Sequence, residues 1–176
     1  ESFSFYEAIR FLAERGEVAL PQDSFLKNAG HDTADNEVIS AYQWLSKLYH
    51  HMLKFSKDGR EGYNYFKQRG MTDETIDEFQ LGFAPNRENF TTEFLKKKGF
   101  EEQTLVRSWV LSRRDDNRVT DRFRGRVIFP IRNHIGKTIG FGARSINDQH
   151  PKYLNSAESE LFQKSKLLYN FDMAKK

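Results

Sequence analysis

Apolar residues recur every three or four positions through most of the first 120 residues, and nearer every second position after that. The first spacing is that of one helix face, the second that of a strand. In residues 4–15, Phe5, Ala8, Ile9 and Leu12 form one stripe. Ser4 with Glu7 three places on is a capping box, and Gly16 can stop the helix. Residues 20–35 hold Pro21, Gly30 and several Asp and Asn, and read as a linker that sets 1–19 apart as a different unit. A longer helix is expected from Glu37 to about Lys57, buried along Val38, Tyr42, Leu45, Tyr49 and Met52. Residues 61–69 give another, ending at Gly70. Thr72 caps the next, with Asp73 and Glu74 in a first turn that favours negative charge, and it closes near Gln80. "LGFAP" is a short extended element. Residues 88–98 and 101–107 are two short helices around Gly99, and "RRDDN" at 113–117 is a turn.

"DRFRGRVIFPIR", residues 121–132, changes the pattern: Arg122, Arg124, Arg126 and Arg132 fall at even spacing, with Val127, Phe129 and Ile131 among them. Two strand-like runs, 122–133 and 137–146, flank Gly136. A two-residue loop would mix charge and hydrocarbon on each face. A three-residue loop, His134 to Gly136, sets Arg132 opposite Thr138 and asks Gly136 to take a left-handed conformation. Val127, Phe129 and Ile131 then share a face with Ile139, Phe141 and Ala143, and the other face collects Arg126, Arg132, Gly140, Gly142 and Arg144. The glycines would leave a strip where a ligand can approach the backbone, and Pro130 asks for an edge position or a bulge. Such a face is either a solvated strand surface with ion pairs or a row of guanidinium groups aimed at a polyanion. The fold class expected is α+β: a helical N-terminal part followed by a small antiparallel or mixed sheet with a basic face.

The length, 176 residues, suits one domain or one domain with an appendage. The net charge of +3 is unevenly spread. Residues 121–176 carry eleven Lys or Arg against five Asp or Glu, and residues 1–120 seventeen against twenty. A polyanionic partner therefore fits the last third best. With no Cys there are no disulfides or thiolate zinc sites, and a reducing cytosol is compatible. No apolar run approaches the ~18 residues of a membrane span. The chain opens on Glu1 rather than Met, which reads as a piece excised from a longer protein.

Catalytic constellations are missing from the pattern. Asp115 and Asp116 beside Arg113 and Arg114 read as a surface ion-pair cluster, and Asp73, Asp77 and Glu78 decorate a helix face. His50 and His51 are adjacent, about 100° apart on a helix, not the i, i+4 spacing of a metal pair. His31, His134 and His150 stand alone, and no G-x-x-x-x-G-K phosphate loop is present. "HPKYLNSAESELFQKSKLLYN", residues 150–170, strengthens the polyanion reading. Lys152 and Lys164 add charge, Tyr153 and Phe162 can pack or stack, and Asn155 and Ser156 are uncharged donors suited to phosphate or sugar.

The ordered blocks "DRFRGRVIFPIRN", "GKTIGFGARS" and "PKYLNSAESELFQKSKLLYN" resemble the bacterial DnaG-type replicative primases. "YFKQRGMTDETIDEFQLGFAP" at 65–85 resembles the same family, and "SFSFYEAIRFLAERGEVALP" resembles the stretch closing its zinc-binding domain. The resemblance covers nearly the whole chain. It implies that 1–34 is the end of the zinc-binding-domain region plus linker, and that 35–176 is the N-terminal basic subdomain of the RNA polymerase core, with the toprim subdomain absent. It implies a part of an enzyme that makes short RNA primers on single-stranded DNA, here supplying a template and hybrid groove and inactive alone.

By resemblance, Arg69 in "KQRG", Arg144 in "GFGAR", Lys152 in "PKYLNS" and Lys164 in "FQKSK" bind DNA, with Arg122, Arg124 and Asn155 in the same blocks. The hairpin reading adds Arg126. The implied partners are template DNA, RNA–DNA hybrid, nucleoside triphosphates and, through an absent C-terminal domain, the replicative helicase. Mg2+ and Zn2+ belong to other parts of the full-length enzyme, with no cofactor or metal here, in a bacterial cytoplasm. "EGYNYF" at 61–66 resembles the family's catalytic Glu-Gly-Tyr motif but lies upstream of "RFRGR" and follows no apolar strand, so Glu61 is expected as an exposed helix residue. Ala143 replaces a frequent glycine and Ala157 a frequent proline. A protein-docking module and a nucleotide-phosphate sensor are the alternatives.

Overall fold

The structure, a computed structural model, describes residues 22–108, 110–113, 119–147, 149–159 and 161–174, with side chains from residue 34 onward except those of residues 113 and 119. The helix expected at 4–15 and the aspartates of the 113–117 turn lie outside the described residues. The chain divides into two compact units, Glu1–Asn36 and Glu37–Lys176. Within the first, the described backbone from residue 22 is helical. Helix α1 runs Gln22–Phe55, so the described part of the stretch read as a linker, residues 22–35, is helical. A single interior glycine such as Gly30 costs only about 1 kcal/mol, little against propagation of a helix already nucleated.

In the second unit α1 is followed by α2 (Arg60–Gln68), α3 (Asp73–Glu78), β1 (Gly82–Ala84), α4 (Phe90–Lys97) and α5 (Glu102–Arg107). Then come β2 (Leu111–Arg113), β3 (Val119–Asp121), β4 (Arg126–Arg132), β5 (Thr138–Ser145), β6 (Tyr153–Asn155), a 3-10 turn at Lys164–Lys166 and α6 (Phe171–Ala174). The fold is α+β, as expected. Strands β2 and β3 form a separate antiparallel pair, and a four-stranded antiparallel sheet runs β1-β4-β5-β6. Thr72 caps α3 by accepting from the Thr75 amide at 3.2 Å. Helix α4 has no such local cap. The buried Asp121 carboxylate accepts instead from the Thr91 and Thr92 amides, at 2.7 and 3.1 Å. Among the described residues no helix is long and apolar enough to cross a membrane.

The β4–β5 turn forms as expected. Arg132 pairs with Thr138, Gly136 adopts φ 81°, and the Asn133 side chain accepts from the Ile135 and Lys137 amides. One residue further a bulge shifts the ladder. Ile131 pairs with Gly140, Phe129 with Gly142, Ile128 with Ala143, Val127 with Arg144 and Arg126 with Ser145. Partners across a ladder share a face, so the expected segregation is overturned. Val127, Phe129 and Ile131 lie with Gly140, Gly142 and Arg144, while Arg126 lies with Ile128, Phe141 and Ala143. The physical reason is that both faces are covered. Val127 and Ile128 are both fully buried, in different apolar clusters, so neither face had to be wet and alternation could not fix the register. Pro130 falls next to the bulge and beyond the reach of β1, which ends its pairing at Ile128.

On one face Val38, Ala41, Tyr42, Leu45 and Tyr49 of α1, at helical spacing, pack over Ile128, Phe141 and Ala143. Tyr42 and Tyr49 both meet Phe141 edge-on at 5.6 Å. A Cβ at Gly82 would come within 2.6 Å of Tyr49, so β1 needs glycine to lie this close to α1. On the other face Phe66 of α2 meets Phe129 edge-on, also at 5.6 Å, beside Phe83, Leu81, Ile76 and Val127.

Candidate nucleic-acid interface at the sheet edge

Strand β6 is the outermost strand, and its pairing was not legible in the sequence. Gly142 lies opposite Asn155, Ala143 opposite Leu154 and Arg144 opposite Tyr153. Leu154 therefore turns to the α1 core, and Tyr153 and Asn155 share the opposite face with Arg144. Tyr153 is 64% exposed. Helix α2 crosses this same face and brings Tyr65 to Arg144. Arg144 Nη1 donates to the Tyr65 hydroxyl, and its guanidinium lies 5.1 Å from the Tyr65 ring and 5.4 Å from the Tyr153 ring. Arg69, exposed at the C-terminal end of α2, stacks 5.5 Å from the same Tyr65 ring. Among the described residues no carboxylate pairs with Arg69 or Arg144, and Arg144 Nε is buried without an acceptor. Two guanidinium groups thus converge on one aromatic ring beside an exposed tyrosine, with charge left for an outside anion.

The other expected residues are distributed around this edge. Arg122 donates from Nε and Nη2 to the Asn155 carbonyl at 3.4 and 3.3 Å. Arg124 reaches Glu88 and Asn86, both at 3.4 Å. Together they line an open cleft of about 630 Å3 with Gln149, His150 and Leu154. Lys152 is exposed next to Tyr153, and Lys164 is exposed on the 3-10 turn. Arg126 corrects the sequence reading. It is 4% exposed and donates from Nη1 to the carbonyls of Pro151 at 2.8 Å and Lys152 at 3.4 Å. Burial lowers its guanidinium pKa. It faces away from Arg144 and holds the turn that leads into β6. Arg132 is also spent elsewhere, on the Glu78 carbonyl and Met173 Sδ, each at 3.3 Å.

The cleared strip expected at Gly140 and Gly142 is occupied by the chain itself. A Cβ at Gly142 would stand 3.3 Å from Asn155 Oδ1, and one at Gly140 would stand 3.3 Å from Ser156 Cβ. The glycines admit the neighbouring strand and the turn after it rather than a ligand. Sequence reasoning missed Tyr65, although a signal existed: Tyr65 and Arg69 are i and i+4 on one helix, where side chains meet. Glu61 is an exposed helix residue, as expected, within 3.5 Å of Asn147. Among the described residues no three His, Asp or Glu gather in a way that could hold a metal. These described residues therefore do not fit Mg2+ or Zn2+.

The family described as DNA primase catalytic core, N-terminal domain, matches residues 48–175. A DNA primase of Halalkalibacterium halodurans is 42% identical over 99% of this chain and 29% of its own length. Two solved structures align with TM-scores of 0.73 and 0.74. The first is a DnaG primase catalytic domain bound to single-stranded DNA, 32% identical over 82% of this chain and 46% of that one. The second is the RNA polymerase domain of Mycobacterium tuberculosis primase DnaG with a double-stranded DNA carrying a 6-nucleotide overhang, 29% identical over 80% and 44%. The chain spans about 29% of the length of the curated relatives it matches.

Proposed function

Because the chain belongs to the family of DNA primase catalytic-core N-terminal domains, we propose that it is the template-binding part of a bacterial primase. In this reading Arg69 and Arg144 take phosphates of single-stranded DNA, the exposed Tyr153 ring offers a stacking surface, and Lys152, Asn155, Arg122, Arg124 and Lys164 extend the contact along the edge. Phosphate contacts position a strand without reading its sequence, which suits a protein that must accept many templates. The single observation that carries the reading is the convergence of Arg69 and Arg144 on Tyr65, beside the exposed Tyr153, with no described carboxylate to neutralise them. Residues 35–176 would be the basic subdomain and 1–34 the end of the preceding region. RNA–DNA hybrid and nucleoside triphosphates would meet this edge on the way to metal-holding carboxylates elsewhere in a full-length enzyme. Mg2+, Zn2+ and the helicase contact would belong to those other parts, in the cytoplasm.

The test is binding of a fluorescent single-stranded oligonucleotide across a salt series. A groove that tracks phosphates loses affinity with a slope of about −0.7 per contact. Affinity independent of salt would refute the reading and favour a protein-docking module. Displacement of the oligonucleotide by free nucleotide at equal phosphate concentration would favour a nucleotide-phosphate sensor.

A further inference from the structure

We infer that Tyr65 is a positioning residue that fixes Arg144 and Arg69 as a two-pronged anion clamp; the inference rests on the template-binding reading above. Two like charges repel, and long arginine side chains on a solvated surface sample many rotamers. Tyr65 opposes both effects from one place. Its ring lies within cation–π reach of each guanidinium, at 5.1 Å for Arg144 and 5.5 Å for Arg69, so one π-system serves two cations. Its hydroxyl accepts from Arg144 Nη1, which fixes the roll of that guanidinium as well as its position. The phenol is itself held, because the neighbouring Phe66 is fully buried against Phe129 and anchors this turn of α2 to the sheet. The Tyr153 ring adds a second aromatic neighbour to Arg144 at 5.4 Å. The ligand class is a pair of phosphodiester groups on a flexible strand, one for each guanidinium.

The experiment measures single-stranded oligonucleotide affinity for the whole chain and for Tyr65→Phe, Tyr65→Leu, Arg69→Ala and Arg144→Ala, alone and combined. Tyr65→Phe keeps the ring and removes only the hydroxyl. It should weaken binding about threefold to tenfold in the parent chain, with no further loss in the Arg144→Ala background. Tyr65→Leu removes the shared ring as well. It should weaken binding further, and that further loss should vanish once Arg69 and Arg144 are both alanine. A merely structural tyrosine would lower affinity equally in every background, and that result overturns the inference. So does full binding by Tyr65→Phe and Tyr65→Leu while Arg144→Ala is impaired, and in that case the template-binding reading survives. If Arg144→Ala binds normally, both fall.

Discussion

Replacing Arg126 with methionine separates a residue that builds the interface from one that touches the ligand. The substitution removes the 2.8 Å bond to the Pro151 carbonyl and the weaker 3.4 Å bond to that of Lys152. A hydrogen bond from a charged donor contributes roughly 1.5–3 kcal/mol, and one at 3.4 Å contributes little. Against this, burying a guanidinium carries a desolvation cost, and the lowered Arg126 pKa has that cause. A methionine of similar length recovers packing beside Ala84 and Ser145, the ladder partners on either side. The freed Pro151 carbonyl belongs to an exposed turn that water can reach, and the Lys152 carbonyl keeps its bond from the Ser145 amide. The net loss should be about 1–2 kcal/mol, or roughly 2–8 °C in Tm for a chain of this size. Oligonucleotide affinity should fall because the approach to β6 loosens, yet the salt slope should not change, since no phosphate contact is lost. Thermal unfolding by circular dichroism and anisotropy titrations over a salt series read the two quantities separately. A slope reduced by about 0.7 with an unchanged Tm would place Arg126 on the strand and refute the reasoning.

Arg144→Ala is the converse case: it should reduce the salt slope by about 0.7, and an unchanged slope would remove Arg144 from the phosphate path. The Tyr63 hydroxyl donates to Asp73 at 2.6 Å and is the main cause, ahead of Lys67, holding the Asp73 carboxyl below its ordinary 3.8. A depressed carboxyl contributes stability that is present above that ordinary value and is lost as pH falls through the folded one. Tyr63→Phe should therefore flatten the acid limb of urea-midpoint against pH below about pH 4, while an identical acid limb would refute the assignment. The chain alone, given template, Mg2+ and nucleoside triphosphates, should make no primer in a labelled-product gel assay, and primer synthesis would refute the proposed division of labour.

The helices were legible where the chain carries its own punctuation. Gly70, Thr72, Gly99 and the apolar stripe of α1 each act locally, and α2 to α5 fall close to where the spacing puts them. The turn at 133–137 was legible for the same reason, because Gly136 and Asn133 decide it without reference to the rest of the fold. What failed was non-local. The argument for one wet face assumed that β4 and β5 had solvent on one side, but α1 covers one face and α2 the other. With both faces apolar, Val127 and Ile128 are equally at home, and nothing in the spacing forbids the one-residue bulge that sends Arg126 and Arg144 to opposite sides. The same blindness hid β6. Three residues are too few to show alternation, so the pairing of Tyr153 with Arg144 emerges only once the sheet is assembled. The motif blocks therefore named residues that gather at this edge, while the division between those exposed there and those that hold the turn was not legible.

That edge strand also discriminates between the functional alternatives. An exposed sheet edge can recruit another strand through its backbone, which would make this surface a protein-docking site. Along β6 the inward bonds run from the Ser145 amide to the Lys152 carbonyl and from the Ser156 amide to the Phe141 carbonyl. Backbone direction alternates along an antiparallel strand, so Tyr153 and Asn155 turn their backbone groups outward. Arg122 already donates to the Asn155 carbonyl, and Pro151 precedes the strand with no N–H to offer. The outward row is too short and too occupied to template a partner strand. What this edge presents instead is side-chain chemistry: an exposed tyrosine, an exposed asparagine, an exposed lysine and two arginines gathered on one ring. Those groups match the stacking faces and phosphates of a single nucleic-acid strand, and they would do little for an added β-strand.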